Sequence, residues 1–246
     1  MNSIDFYNKM SAKFLLNLTN GRMLSFNPGI YRRIFDDINS KLNFKQTDFV
    51  LDLGGGTGLI TQHIGQNCAK IELADGAELV LTTAKKKLSR LDNVLYGLVD
   101  IEKKLPYKEN FFDKILCYSV VHCLSDYKYF IDLLEELVRI VKPNGGAILI
   151  GDIPLDEKYK FNLENRKKYP LKNFLLNQKY YIKKFITRLF YRLNNLADVP
   201  KNNIYFTRER IINELKKIDG INYRFLEQNE QLPCANSRED LLIIKL

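Results

Sequence analysis

The chain has 246 residues, of which 46% are hydrophobic and 27% charged, and a net charge of +9. These are the proportions of an ordinary globular protein and exclude wholesale disorder, and no apolar run approaches the roughly 20 residues of a membrane-spanning helix. The charge is localised: Lys158, Lys160, Arg166, Lys167, Lys168, Lys172, Lys179, Lys183, Lys184, Arg188 and Arg192 outweigh Asp156, Glu157 and Glu164, which argues against a generally nucleic-acid-coating protein and for one basic element with its own task.

At the start, Met1-Asn2-Ser3-Ile4-Asp5 has neither the basic region nor the apolar stretch of a secretory leader, so a cytoplasmic location is expected. Ile4 to Leu18 and Ile30 to Leu42 read as helices separated by Asn20-Gly21 and Asn27-Pro28-Gly29. From Phe49 onward, strand-like runs alternate with helical patterns, as in a mostly parallel sheet covered on both faces. Phe49 to Asp52 is a first strand, followed by a helix through Leu59, Ile60 and Ile64. Lys70 to Asp75 is a second, followed by a helix in which Leu79, Val80, Thr83, Ala84 and Leu88 keep helical spacing. Val94 to Val99 and Lys114 to Val121 are the third and fourth strands. A helix through Tyr129, Phe130, Leu133, Leu134, Leu137 and Ile140 ends before Pro143, and Ala147 to Ile150 is the fifth strand. Leu155 to Pro200 is an insertion with Phe174, Leu175, Ile182, Phe185, Ile186, Leu189 and Leu193 largely on one helical face and basic residues on the other. Thr207 to Lys217 is a helix, and Tyr223 to Glu227 with Leu241 to Lys245 can close the sheet. The four cysteines, Cys68, Cys117, Cys123 and Cys234, form no C-x-x-C pair and read as reduced core residues.

Glycines between a strand and a helix let a ligand approach the backbone, and their spacing selects the ligand. The dinucleotide pattern G-x-G-x-x-G begun at Gly54 fails at Leu59, and the phosphate-loop pattern is absent. Asp52, Gly54, Gly56 and Gly58, with Gly55 between, make D-x-G-x-G-x-G, which resembles the first motif of class I methyltransferases. The resemblance runs from about residue 49 to 153. It takes in Asp75-Gly76 after the second strand, Asp100-Ile101 after the third, Asn110-Phe111-Phe112-Asp113 before the fourth, and the turn Lys142-Pro143-Asn144-Gly145-Gly146.

The resemblance implies a Rossmann-like, seven-stranded, mostly parallel α/β sheet with helices on both faces, in one domain spanning residues 1–246. Residues 1–45 would form an N-terminal helical cap and 155–200 a basic helical insertion serving as a lid. It implies S-adenosyl-L-methionine as cofactor and S-adenosyl-L-homocysteine as product, bound by Tyr7, Asp52, Gly54, Gly55, Gly56, Gly58, Asp75, Gly76, Asp100, Ile101 and Tyr118. Asp75 would accept hydrogen bonds from the ribose diol and Asp100 would hold the adenine amino group; Tyr7 resembles the aromatic residue that relatives lay over the cofactor. Singly, each aspartate reads equally as a helix cap or a solvated loop acid, and Tyr7 as core packing.

Methyl transfer is an in-line displacement that needs alignment and exclusion of water more than an elaborate catalytic group. A hydroxyl acceptor benefits from a base, and His122, just past the fourth strand, is the candidate, with a structural histidine as the alternative. Asp152 is a second candidate acid or base, His63 reads as structural or solvent-facing, and Arg22, Tyr31 and Tyr118 are within possible reach. There is no D/N-P-P-Y motif for a nucleic-acid base and no clustered ligand set for a metal, so neither DNA nor a metal is expected. The basic insertion favours a small anionic acceptor methylated on oxygen or nitrogen, such as a sugar or phosphorylated intermediate of bacterial surface-polysaccharide assembly. Alternatives are C-methylation of a lipid or quinone with peripheral membrane contact through the basic helix, an RNA methyltransferase, and a non-catalytic binding module on the same fold.

Overall fold

A computed structural model describes residues 3–12, 29–168, 189, 204, 206–232 and 234–246. Among these, β1 (Phe49–Leu53), β2 (Lys70–Asp75), β3 (Val94–Leu98), β4 (Lys114–Tyr118), β5 (Ala147–Pro154), β6 (Ile221–Glu227) and β7 (Arg238–Lys245) form one sheet. Its order is β3-β2-β1-β4-β5-β7-β6. The first five strands run parallel. β7 lies antiparallel between β5 and β6. This is the Rossmann-like, seven-stranded arrangement expected, with the order reversing between β1 and β4.

The central strands are continuous apolar runs because helices cover both faces. On one face α2 (Ile30–Leu42) buries Ile30, Ile34, Phe35, Ile38 and Leu42 at helical spacing. It shares that layer with Leu81 and Ala84 of α4 (Glu78–Lys87) and with Leu116 and Tyr118 of β4. The opposite layer holds Leu133, Leu134 and Leu137 of α5 (Tyr127–Ile140) and Ile211 and Leu215 of α7 (Arg208–Leu215). Two helix starts are capped by side chains: Asp126 accepts from the Lys128 N–H at 2.8 Å, and Thr207 from the Arg210 N–H at 3.1 Å. α1 (Ser3–Ala12) is the described part of the first expected helix.

Several boundaries differ from the sequence reading. Residues 54–60 are turns, leaving only the short α3 (Thr61–Ile64), because Gly54, Gly56 and Gly58 adopt left-handed φ of 74°, 60° and 77°. β4 stops at Tyr118, since Ser119 turns to φ 63° and leads into a 3₁₀ turn, Val121–Cys123. β5 continues to Pro154 past an irregularity where Asp152 has φ 64°.

The insertion begins with α6 (Asp156–Lys168), a helix that the sequence reading did not single out. Its base is closed by a bridge between Leu155 and Phe206 and by the Asp156 N–H donating to the Phe206 carbonyl at 2.9 Å. Lys158 of α6 (2.7 Å) and Arg208 of α7 both pair with the fully buried Glu239 of β7. The amphipathic pattern through Phe174 and Leu193, with Lys183 and Lys184, lies outside the described residues apart from Leu189.

Candidate functional site

A cavity of about 300 Å³ opens at the carboxyl ends of the parallel strands, where the strand order reverses and where open α/β sheets bind ligands. The glycine loop forms its floor. The Gly54 and Gly55 N–H groups donate to the Ala74 carbonyl at 2.7 and 3.3 Å, which ties the loop to the end of β2. A Cβ on Gly54 would fall 2.4 Å from Val120 Cγ2, whereas around Gly56 no atom lies within 4 Å of that position. Gly56 therefore presents bare backbone to the cavity. Gly58 does not line it; there, a Cβ would meet Leu88 Cδ1 at 2.6 Å, so this glycine serves the packing of the loop on α4.

Asp52, Asp75 and Asp100 all line the cavity. Asp52 is buried and accepts from the Thr61 hydroxyl at 2.6 Å. Burial pushes its carboxyl up to about 6, the Thr61 bond opposes that rise, and the Asp75 charge adds to it. Asp75 accepts from the Gly56 N–H (3.1 Å) and the Ala77 N–H (2.9 Å); burial raises its pKa while these backbone bonds hold it down. The Gly76 N–H is a third backbone donor to this carboxylate, which leaves one of its roughly four acceptor sites open. Asp100 accepts from the Glu102 N–H at 3.1 Å and pairs with Lys103 at 3.2 Å, with Ile101 beside it in the cavity wall.

α1 roofs this end. A Cβ on Gly76 would lie 3.0 Å from Ile4 Cδ1, Asn8 accepts from the Leu79 N–H at 3.1 Å, and the Tyr7 hydroxyl stands 3.8 Å from Cys123 Sγ. Tyr7 and Gly76 both face the cavity. Tyr31 and Ile34 of α2, Tyr118 at the end of β4, and Ser119 and His122 just after it also line the cavity. His122 sits in the 3₁₀ turn, on the cavity wall.

Asp152 is buried away from the cavity wall, with its N–H donating to Asp240 at 2.8 Å. His63 packs on Phe35 with ring centroids 5.6 Å apart, also off the wall, and Arg22 lies outside the described residues. Sequence reasoning missed Glu102 and Ser119 in the wall. Glu102 follows Asp100 by two residues and accepts from the Ser125 hydroxyl at 2.9 Å, and Ser119 follows a β-strand that gives no outward sign of ending there. Among the described residues no group of three or more His, Cys, Asp or Glu side chains is arranged to hold a metal ion, and no helix is long and apolar enough to cross a membrane.

Residues 51–149 match the family model described as a methyltransferase domain. Among curated proteins the chain is similar to the malonyl-[acyl-carrier protein] O-methyltransferase of Marinomonas sp. (strain MWYL1), at 30% identity over 142 residues, 54% of this chain and 50% of that one. It is also similar to the ubiquinone/menaquinone biosynthesis C-methyltransferase of Neisseria gonorrhoeae, at 31% identity over 128 residues, 48% of this chain and 50% of the relative. The chain thus spans about half the length of these curated relatives. In fold it resembles the N-methyltransferase NodS from Bradyrhizobium japonicum WM9, solved with S-adenosyl-L-homocysteine, with a TM-score of 0.64, 14% identity and coverage of 100% of this chain and 98% of that one.

Proposed function

We propose, from the premise that residues 51–149 of this chain are a methyltransferase domain on the class I fold, that the protein transfers the methyl group of S-adenosyl-L-methionine to a small-molecule acceptor. The observation that carries this is the left-handed glycine loop after β1, faced across one cavity by carboxylates at the ends of β2 and β3. In this reading Gly54, Gly55 and Gly56 give backbone approach to the donor, Asp75 takes the ribose diol, Asp100 and Ile101 take the adenine, and Tyr7 and Gly76 enclose it. Asp52 and Gly58 act one step removed, by holding the loop.

The acceptor's lone pair attacks the methyl carbon, the carbon–sulfur bonding pair returns to sulfur, and neutral S-adenosyl-L-homocysteine leaves. An acceptor hydroxyl or amine gives up its proton to His122 or to water. The relatives carry printed activities on oxygen, carbon and nitrogen, so they support a methyltransferase without favouring one acceptor atom. An anionic acceptor such as a phosphorylated sugar is supported by the excess of lysine and arginine in residues 155–200, and it requires that reversing the charges of Lys183 and Lys184 weaken acceptor turnover.

Calorimetric titration tests the donor. S-Adenosyl-L-methionine and S-adenosyl-L-homocysteine should both bind and NAD should not. Asp75→Ala, which removes the carboxylate proposed to accept from the ribose, should weaken both by about tenfold or more. Binding of NAD, or of no nucleotide, would overturn the reading.

A further inference from the structure

We infer, on the methyltransferase reading above, that Asp52 tells the donor from the product by charge. In weakly acid solution its carboxyl carries a proton when no nucleotide is bound, gives it to solvent when the cationic sulfonium enters, and takes one back once the methyl has left and the sulfur is neutral. Donor binding is thereby coupled to proton release, and product binding is not.

Four carboxylates line the cavity, and two of them have outside partners: Asp100 pairs with Lys103 at 3.2 Å, and Glu102 accepts from the Ser125 hydroxyl at 2.9 Å. Asp52 and Asp75 are left to each other, with no lysine or arginine among the described residues of the wall. They are held differently. Asp75 accepts from the N–H groups of Gly56, Ala77 and Gly76, three bonds that favour its charged form. Among the described residues Asp52 accepts only from the Thr61 hydroxyl, and it lies under the glycine loop, where a Cβ on Gly55 would be 2.8 Å from its Oδ2.

The groups around Asp52 add no positive charge. The Cys117 thiol of β4 is kept neutral by burial, α3 supplies the Thr61 hydroxyl, and the loop supplies glycine backbone and Thr57. Of the pair, Asp52 is therefore the one that holds a proton: burial, against the Thr61 bond and with the Asp75 charge, pushes its carboxyl up to about 6. A cation brought into this wall favours the ionised form. The donor affinity then climbs as pH rises toward that value and levels off above it, while the product, which lacks the sulfonium charge, follows no such course. Asp52 does this through its charge, without touching the donor and without giving up its hold on the loop.

Titration of the full chain with S-adenosyl-L-methionine and S-adenosyl-L-homocysteine from about pH 5 to pH 7, where both ligands keep the same charges on their amino and carboxyl ends, tests this. A proton held about tenfold more weakly in the donor complex makes the ratio of donor to product affinity rise about fivefold over that range. In Asp52→Asn the ratio should stay within about twofold. In His122→Gln, which removes the imidazole that also faces the cavity, the rise should persist. Because Asp52→Asn can disturb the loop, calorimetry of the wild type in buffers of different ionisation enthalpy gives a second reading: near pH 5.5 the donor should release about half a proton and the product close to none. A flat ratio, a rise that survives Asp52→Asn or disappears with His122→Gln, or equal proton release by both ligands overturns the inference and leaves the donor reading standing. Failure of both nucleotides to bind overturns the donor reading, and this inference with it.

Discussion

Gly54 and Gly56 share a left-handed backbone and a motif, yet their surroundings predict different sensitivities. Alanine at Gly54 pays for φ 74° and drives a Cβ to 2.4 Å from Val120 Cγ2, so urea denaturation of Gly54→Ala should show a loss on the order of 2–4 kcal/mol. Gly56→Ala meets no atom and should lose only about 1–2 kcal/mol, its larger effect falling on S-adenosyl-L-methionine affinity because the new methyl enters the cavity. Asp52 adds a pH signature. Its carboxyl rises to about 6 in the fold, so the folded state holds its proton longer than the unfolded chain does, and stability falls as pH climbs from near 4 to about 6. The penalty above that window is roughly 2–3 kcal/mol. Asp52→Asn keeps an acceptor for Thr61 and should lack this descent in thermal melts across pH 4 to 7; an identical slope in both proteins would show that Asp52 stays ionised.

The secondary elements were legible wherever a single periodicity decided them. α2 and α5 match their sequence outlines because apolar residues recur every three or four positions and cap or turn residues bound them. β4 and β5 were misjudged in length because Ser119 and Asp152 take left-handed φ, which neither residue's identity announces. The tie between α6, α7 and β7 was invisible for another reason: Lys158, Arg208 and Glu239 are remote in sequence and meet only once the sheet has formed. Burial pushes the Glu239 carboxyl up, but the bonds from Arg208 and Lys158 outweigh it and leave the pKa below its ordinary value. Stability from this tie is therefore present at neutral pH and lost as acid protonates Glu239. Glu239→Gln should cost about 1–2 kcal/mol at pH 7, since the cations it leaves, half-exposed Arg208 above all, are re-solvated, with a smaller difference from wild type in acid.

Across the whole molecule, the strand alternation predicted the sheet and the motif order predicted which loops meet, because the carboxyl ends of parallel strands share one edge. Tyr31 and Tyr118 were named from the sequence as within reach and both line the cavity, whereas Gln228 and Asp240, which support Tyr118 from the segment after β6 and from β7, were not legible because they share no motif with it. The sheet order also ranks local stability. Amide exchange should be slowest in β2, β1, β4, β5 and β7, which are paired on both sides, and faster in the outer strands β3 and β6; fast exchange in β4 would contradict this order.

The interior position of β7 bears on biosynthesis. β5 leaves the ribosome complete at residue 154, but the strand that covers its outer edge begins only at residue 238. At about 5–20 residues per second, that edge waits several seconds while the insertion, α7 and β6 are translated. Throughout that interval the nascent chain carries an unpaired Ala147–Pro154 rim, an exposed template for pairing with other chains, and its most hazardous moment precedes the arrival of its last strand.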